Sequence, residues 1–331
     1  MNEPIFIARQ DTLEQEILPA HWLAQYKLFG EESYTFQDKG IWKKLCMSRA
    51  AANDRDMHAE ALEEMLTTFS AEHTGKWMLL VYGMDAAALE GLATMAAIAA
   101  NGTAMGAIAD NALLMHAIAN SETAMQRIAN SQTAMQRVAN NRGAMDAIGR
   151  SRIARDAVQA SPYYNSCIKE NDMAIAKLVV GFANLASANY SSMAGVVADA
   201  TAMTAVAASS TAMTAVAASA TAMGKIAAVD AALSKLAAST TAMDALYARK
   251  KKLNGGSASK SGKFIILEIS ASNAFNTSKY GYATLSDGSK PDWSSYLAKY
   301  AFFRQYPKYA TYMLNDTDSD DYIYYFDIAS P

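Results

Sequence analysis

Methionine returns at every tenth residue through the middle of this chain, and that period restricts the fold more tightly than any other feature. It stands at Met95, Met105, Met115, Met125, Met135 and Met145, followed three positions later by Ile98, Ile108, Ile118, Ile128, Val138 and Ile148. After an interruption the rhythm resumes at Met193, Met203, Met213, Met223, Leu233 and Met243, partnered by Val196, Val206, Val216, Ile226, Leu236 and Leu246. The clearest copies are Ser121 to Asn130 and Ser131 to Asn140. A fixed period sustained this long marks a repeat architecture, in which each unit buries its apolar side against its neighbours.

The period also carries geometry. A helix turns about 100° per residue, so ten residues leave each methionine roughly 80° behind the last, and one straight rod would scatter them around its circumference. Coiled coils need apolar repeats near ~3.5 or ~3.67 residues, whereas three turns per decad give only ~3.3. If each decad is instead a short helix and a turn, every Met falls in the same place. Ser121 or Thr123 then caps a helix start, and Asn120 or Asn130 takes the left-handed conformation that ends one. Alanine at most other positions favours helix and lets backbones approach. The expected fold is mainly α: an N-terminal helical unit, solenoid-like arrays of short ten-residue helical repeats, and a small C-terminal α+β domain. Met105, Ile108, Met125, Ile128, Met203, Val206, Met213 and Val216 are the expected repeat core. A bundle of long kinked helices is the competing architecture.

Six segments follow from the pattern. Residues 1–90 read as a non-repetitive helical attachment or assembly unit, with Asp11 and Glu14 as a capping box and Met57, Ala61, Leu62 and Met65 on one helical face. Residues 91–158 are the first array, 159–190 an irregular bridge, and 191–249 the second array. Arg249 to Lys252 are four cations in a row, placed to offset a helix dipole. No aromatic residue is interleaved with them, which argues against a nucleic-acid patch. Residues 250–263, with Gly255, Gly256, Ser257 and Gly262, read as a basic and Gly/Ser linker. Its glycine spacing and Phe264 after Lys263 do not fit a phosphate-binding loop.

Residues 264–331 are an aromatic-rich α+β module. Strands are expected at Phe264–Ile269, Tyr309–Leu314 and Tyr322–Ile328, and a helix capped by Asp292 through Trp293, Tyr296, Leu297 and Tyr300. Aromatic side chains with a polar tip suit sugar rings or partner proteins, so Trp293, Tyr280, Tyr282, Tyr322 and Tyr324 are candidate contacts. The competing reading is that about half of each strand's aromatics fill the core. Between the last two strands, Asp316, Asp318 and Asp320 form either a solvated acidic hairpin tip or a surface Ca²⁺ site, with Asp327 near a twelfth ligand position.

Other chemistry is weakly signalled. The net charge of −3 gives no general pull toward nucleic acid or anionic membrane. Cys46 and Cys167 show no metal spacing and read as free thiols, with a bridge left open. The four histidines, His21, His58, His73 and His116, are scattered, and His116 falls in a variable surface slot of the repeat. The uncharged stretch between Asp199 and Lys225 is long enough to cross a bilayer but is Ala, Thr and Ser rich, so no membrane span is expected. Asp287, Asp292 and Glu268 cannot be paired as a glycosidase dyad from sequence.

The decads Thr123 to Ser131 and Thr211 to Ser219 resemble repeats found in tail-fibre and other tail-associated proteins of tailed bacteriophages, a similarity running from about Leu92 to Leu246. The resemblance implies a structural virion component, made in the host cytoplasm and assembled into the tail or baseplate. One end would attach to other tail proteins, and another would face a host glycan or protein. It implies an oligomer or a place in a larger assembly, no enzymatic activity and no cofactor. Two alternatives stand beside it. A virion carbohydrate-active enzyme would show two carboxylates facing across a cleft. A surface- or ice-binding repeat would show Thr201, Thr211, Thr221 and Thr241 in one flat exposed row.

Overall fold

The computed structural model describes residues 79, 84, 86–92, 94–270, 281–291, 296–317 and 320–331. They are mainly helical with a small antiparallel sheet. The helices expected over residues 1–90 lie outside the described residues, apart from one 3-10 turn, Ala86–Leu89. Contacts divide the chain into two compact units, Met1–Cys167 and Ile168–Pro331.

In the first unit the decads are separate short helices: α1 (Met95–Ala100), α2 (Gly102–Ala109), α3 (Ala112–Ala119), α4 (Glu122–Ala129), α5 (Gln132–Ala139), α6 (Arg142–Arg150) and α7 (Arg152–Ala160). Each begins at a polar residue whose side chain accepts the N–H three positions on. Ser121 receives Ala124, Ser131 receives Ala134, and Asn141 receives Ala144. That bond satisfies a donor the short helix leaves free. Thr123 is therefore inside its helix, and the serine before it is the cap. Asn101 and Ser151 close one helix and open the next, and at Ser151 a single extended residue (φ −97°, ψ 124°) redirects the chain. The left-handed ending expected at Asn130 is absent: its φ is −90° and ψ 6°. Asn120 and Asn140 instead donate their side-chain amides to the carbonyls of His116 (2.7 Å) and Gln136 (3.0 Å), which satisfies those groups without backbone strain.

Every helix packs on the one three further along: α1 on α4, α2 on α5, α3 on α6 and α4 on α7. The cap serines lock this order. While accepting one N–H, three of these hydroxyls donate to a carbonyl thirty-two residues earlier: Ser131 to Ala99 (2.6 Å), Ser151 to Ala119 and Ser161 to Ala129. Within a decad the buried face is Ala124, Met125, Ile128 and Ala129, which is one stripe of an α-helix. Met105, Ile108, Met125 and Ile128 have no exposed surface. Helices of this length do not persist alone, so the packed stripe holds them.

The second unit repeats the rule. Its helices are α8 (Asp172–Phe182), α9 (Met193–Ala198), α10 (Ala200–Ala208), α11 (Ser210–Ala218), α12 (Ala220–Ala227), α13 (Asp230–Ala238) and α14 (Thr240–Tyr247). α8 packs on α11, α9 on α12, α10 on α13 and α11 on α14. Met203, Val206, Met213 and Val216 are buried, and Ser239 donates to Ala207, again thirty-two residues back (2.5 Å). α10 and α11 meet at 100°, so the uncharged stretch is not one span, and no single described helix is long and apolar enough to cross a membrane. Two carboxylates reach in from the segment before α9: Glu170 accepts the N–H groups of Ala220 (3.1 Å) and Thr221 (2.8 Å), and Asp172 that of Met193 (3.0 Å). Cap residues at ten-residue spacing continue through Ser161 and Asn171, so the period outlasts the methionines and enters the stretch read as irregular.

The stretch 250–263 is not a linker. It contributes β1 (Lys251–Asn254) and the first half of β2 (Ala258–Ser270), joined by a turn in which Gly256 and Ser257 take positive φ. The remaining strands are β3 (Gly281–Leu285), β4 (Tyr296–Leu297), β5 (Ala310–Asn315) and β6 (Tyr322–Asp327), in the order β1-β6-β2-β5-β3 with β4 on the end of β2. β2 pairs antiparallel to β5 through its first half and to β6 through its second. Gly262 (φ 152°) sits at the irregularity between the halves, where a Cβ would lie 2.5 Å from the Phe264 ring. β2 separates β5 from β6, so the acidic segment between them is a crossover rather than a hairpin tip. The helix expected from Asp292 is displaced: Tyr296 and Leu297 are strand, and α15 runs Ala301–Gln305. The sheet core is Phe264, Ile266, Ile269, Leu285, Met313, Ile323 and Tyr325 with Phe302 from α15.

Candidate functional site

Strand alternation divides the aromatics of β6 between two faces. Ile323 and Tyr325 point into the core, while Tyr322 and Tyr324 stand half-exposed on the other side. Register places Lys252 of β1 and Glu268 of β2 opposite Tyr324, with Asn254 and Ser270 opposite Tyr322. Glu268 reaches that face through a bulge. The register shift between Ile266 and Glu268 lets Ile266 and Ile269 both fill the core while the acid turns outward.

A third ring comes from the last decad. At the ninth repeat position most decads carry alanine, as at Ala129, Ala139, Ala207, Ala217, Ala227 and Ala237, with Gly149 and Val197 as exceptions, and the last carries Tyr247. The Tyr247 hydroxyl donates to Glu268 Oε2 at 2.6 Å, and the Tyr322 hydroxyl to Oε1 at 3.3 Å. Tyr247 lies edge-on to Tyr324 (centroids 6.0 Å), and Tyr324 lies 4.5 Å from Tyr322. Burial, then the Glu268 bond, raises the Tyr247 phenol far above its ordinary value, and burial beside the same carboxylate raises Tyr322. Both stay neutral donors at physiological pH.

The basic run follows directly on the C-terminus of α14, with the N–H groups of Arg249 and Lys250 bonded to the carbonyls of Leu246 and Tyr247, and two of its members also join this layer. Lys250 Nζ lies 4.1 Å from the Tyr247 centroid and 5.1 Å from that of Tyr324, and Lys252 Nζ lies 5.0 Å from that of Tyr322. Between them Lys251 is turned to Asp327 (3.5 Å). One ring, Tyr247, stands three residues before Lys250, and the other two are supplied by β6, some seventy residues on.

Polar bonds tie the sheet to the last two decads. Tyr300 and Lys299 bond Asp244, Arg304 bonds Thr240, and Lys308 bridges Asp230 and Asp287. The Tyr300 bond, then that of Lys299, holds Asp244 below the usual carboxylate range, and Ser289 with Lys308 does the same for Asp287. Glu268, Asp244 and Asp287 are therefore each engaged with their own donors.

Of the candidate contacts, Tyr322 and Tyr324 come together. Tyr282 is on edge strand β3, against Tyr312 (5.5 Å) and under Lys290 (4.4 Å), with β5 and β2 between it and β6. Tyr280 and Trp293 lie outside the described residues, as does Asp318. Asp316 and Asp320 are exposed; Asp316 accepts from Ser257, and Asp327 takes the N–H groups of Ala329 and Ser330 besides Lys251. Among the described residues no three such side chains converge to hold a metal ion. His116 is exposed, and Cys167 is a buried free thiol. Thr201 and Thr211 are exposed, but Thr221 is half-buried and donates to the Glu170 carbonyl, so the four threonines are not one flat row.

No protein-family model matches the chain, and no curated protein matches it.

Proposed function

We propose that this chain is a structural component of a bacteriophage tail, as a tail-fibre or baseplate-associated protein. Its decad arrays are solenoids of three short helices per turn that serve as spacer and scaffold. The terminal sheet closes the second array and carries the surface that attaches to a host receptor or a neighbouring virion protein. The observation that supports this most directly is that the residues of the phage-like decad are those that build the stack: Met and its β-branched partner fill the interior, and the serine joins one turn to the next. Repeat stacks need a terminal element with a polar outer face, and the sheet supplies one bound to α13 and α14. The chain acts by position rather than by catalysis, and its partners are other tail proteins.

The test is a density map of the assembled particle with this chain tagged, together with light scattering of the purified chain. Density for the three-helix turns in the tail or baseplate is the expected result. A particle that contains the chain only in the capsid, or not at all, overturns the reading.

A further inference from the structure

We infer that the face formed by Tyr247, Tyr324 and Tyr322 with Lys250 and Lys252 binds a carboxylated polysaccharide. This rests on the proposed attachment role of the terminal sheet and names the ligand class. Three rings form one continuous layer, and two hydroxyls are pinned by Glu268, so the rings are fixed before any ligand arrives. The Tyr324 hydroxyl has no partner among the described residues and is left for the ligand.

The cations decide the ligand's charge. Lys251, Lys299 and Lys308 each have a carboxylate, at 3.5 Å, 3.1 Å and 2.9 Å. Lys250 and Lys252 have none among the described residues, and their ammonium groups are met only by tyrosine rings. A cation–ring contact at an exposed site is weak, so a ligand carboxylate takes the ammonium without displacing a salt bridge. Pyranose C–H faces pack on tyrosine and tolerate tilted rings. Single-stranded nucleic acid uses rings as platforms for successive bases. Here the neighbouring rings are inclined by 78° and 47°, which offers no such series. A neutral glycan would leave both lysines unanswered.

The test is calorimetry on the full chain with oligomers of polygalacturonate, alginate and polysialic acid, against dextran and oligo(dT). Binding to carboxylated oligomers but not to dextran is expected, weakened at least tenfold by Lys250→Ala/Lys252→Ala with an unchanged melting temperature. Tyr324→Leu, which keeps the charge, is expected to lose affinity as well. Three results would each overturn the site: no binding of any carboxylated oligomer at millimolar concentration, equal binding of dextran or tighter binding of oligo(dT), or full affinity in the double lysine variant. A chain found in the tail that binds none of these loses the site and keeps the scaffold role; a chain that binds but is absent from the tail does the reverse.

Discussion

The two arrays share an interior and differ outside. In the first, exposed positions carry Glu122, Gln126, Gln132, Gln136, Arg137 and Arg142; in the second they carry Ala200, Thr201, Thr204, Ala208, Ser210 and Thr214. Both nevertheless bury Met with its Ile or Val partner, cap with a polar residue and pack each helix on the third one along. What specifies this fold is therefore the inner stripe and the corner, and the outer positions are free to vary. The caps differ in one respect: the first array uses Ser, Asn and, at its first helix, Thr94, while the second unit also uses Asp199, Glu170 and, at one corner, Val229.

If the shared interior is the determinant, Met125→Ala and Met213→Ala should each destabilise by about 2–5 kcal/mol in denaturant unfolding, since each leaves a cavity the helices cannot close. A large loss in one array and none in the other would separate them. Next in size is the corner: Ser151→Ala removes a cap and the donor to a buried carbonyl, an expected loss of about 2 kcal/mol. Val229 tests the converse. It has extended cap geometry and 37% exposure but makes no cap bond, so Val229→Ser should raise stability by roughly 1 kcal/mol. A neutral or negative change would show that corner to differ from its neighbours.

Acid distinguishes the arrays further. Glu170 lies below its ordinary value because the Thr221 and Ala220 bonds outweigh its burial, and the bonds of Ala202 and Tyr190 lower Asp199. A folded-state value below the unfolded one contributes stability that is complete above about pH 4.3 for a Glu and is lost as pH falls through the folded value. Melting between pH 6 and pH 3 should fall less in Glu170→Gln/Asp199→Asn than in the parent chain; an equal fall would deny these caps a role. The smallest effect belongs to the exterior. Gln136→Thr with Arg137→Ala, which gives the first array the second's outer chemistry, should shift unfolding by no more than about 0.5 kcal/mol.

The stack was legible because its information is local and periodic: a methionine every ten residues and a serine four before it fix a short helix and its start. The corner's second bond was not, because Ser131 and Ala99 are thirty-two residues apart and meet only once the helices between them have packed. β1 and β2 were hidden for a related reason. Gly255, Gly256 and Ser257 have linker composition, and only pairing with β5 and β6 makes their flanks strands. At the site, Tyr322 and Tyr324 could be read from strand alternation. Glu268 could not, since a bulge sets which way it faces, whereas Tyr247 went unread although it is an aromatic in a column made mostly of alanine.

The thirty-two-residue reach of the corner serines sets a unit for how such a chain can change length. Each of these serines reaches the alanine at the same place in its decad, Ala99, Ala119, Ala129 or Ala207. Gaining or losing one whole decad would therefore leave such a serine an equivalent carbonyl and each interior stripe intact, whereas a gain or loss of any other length would strand the hydroxyl.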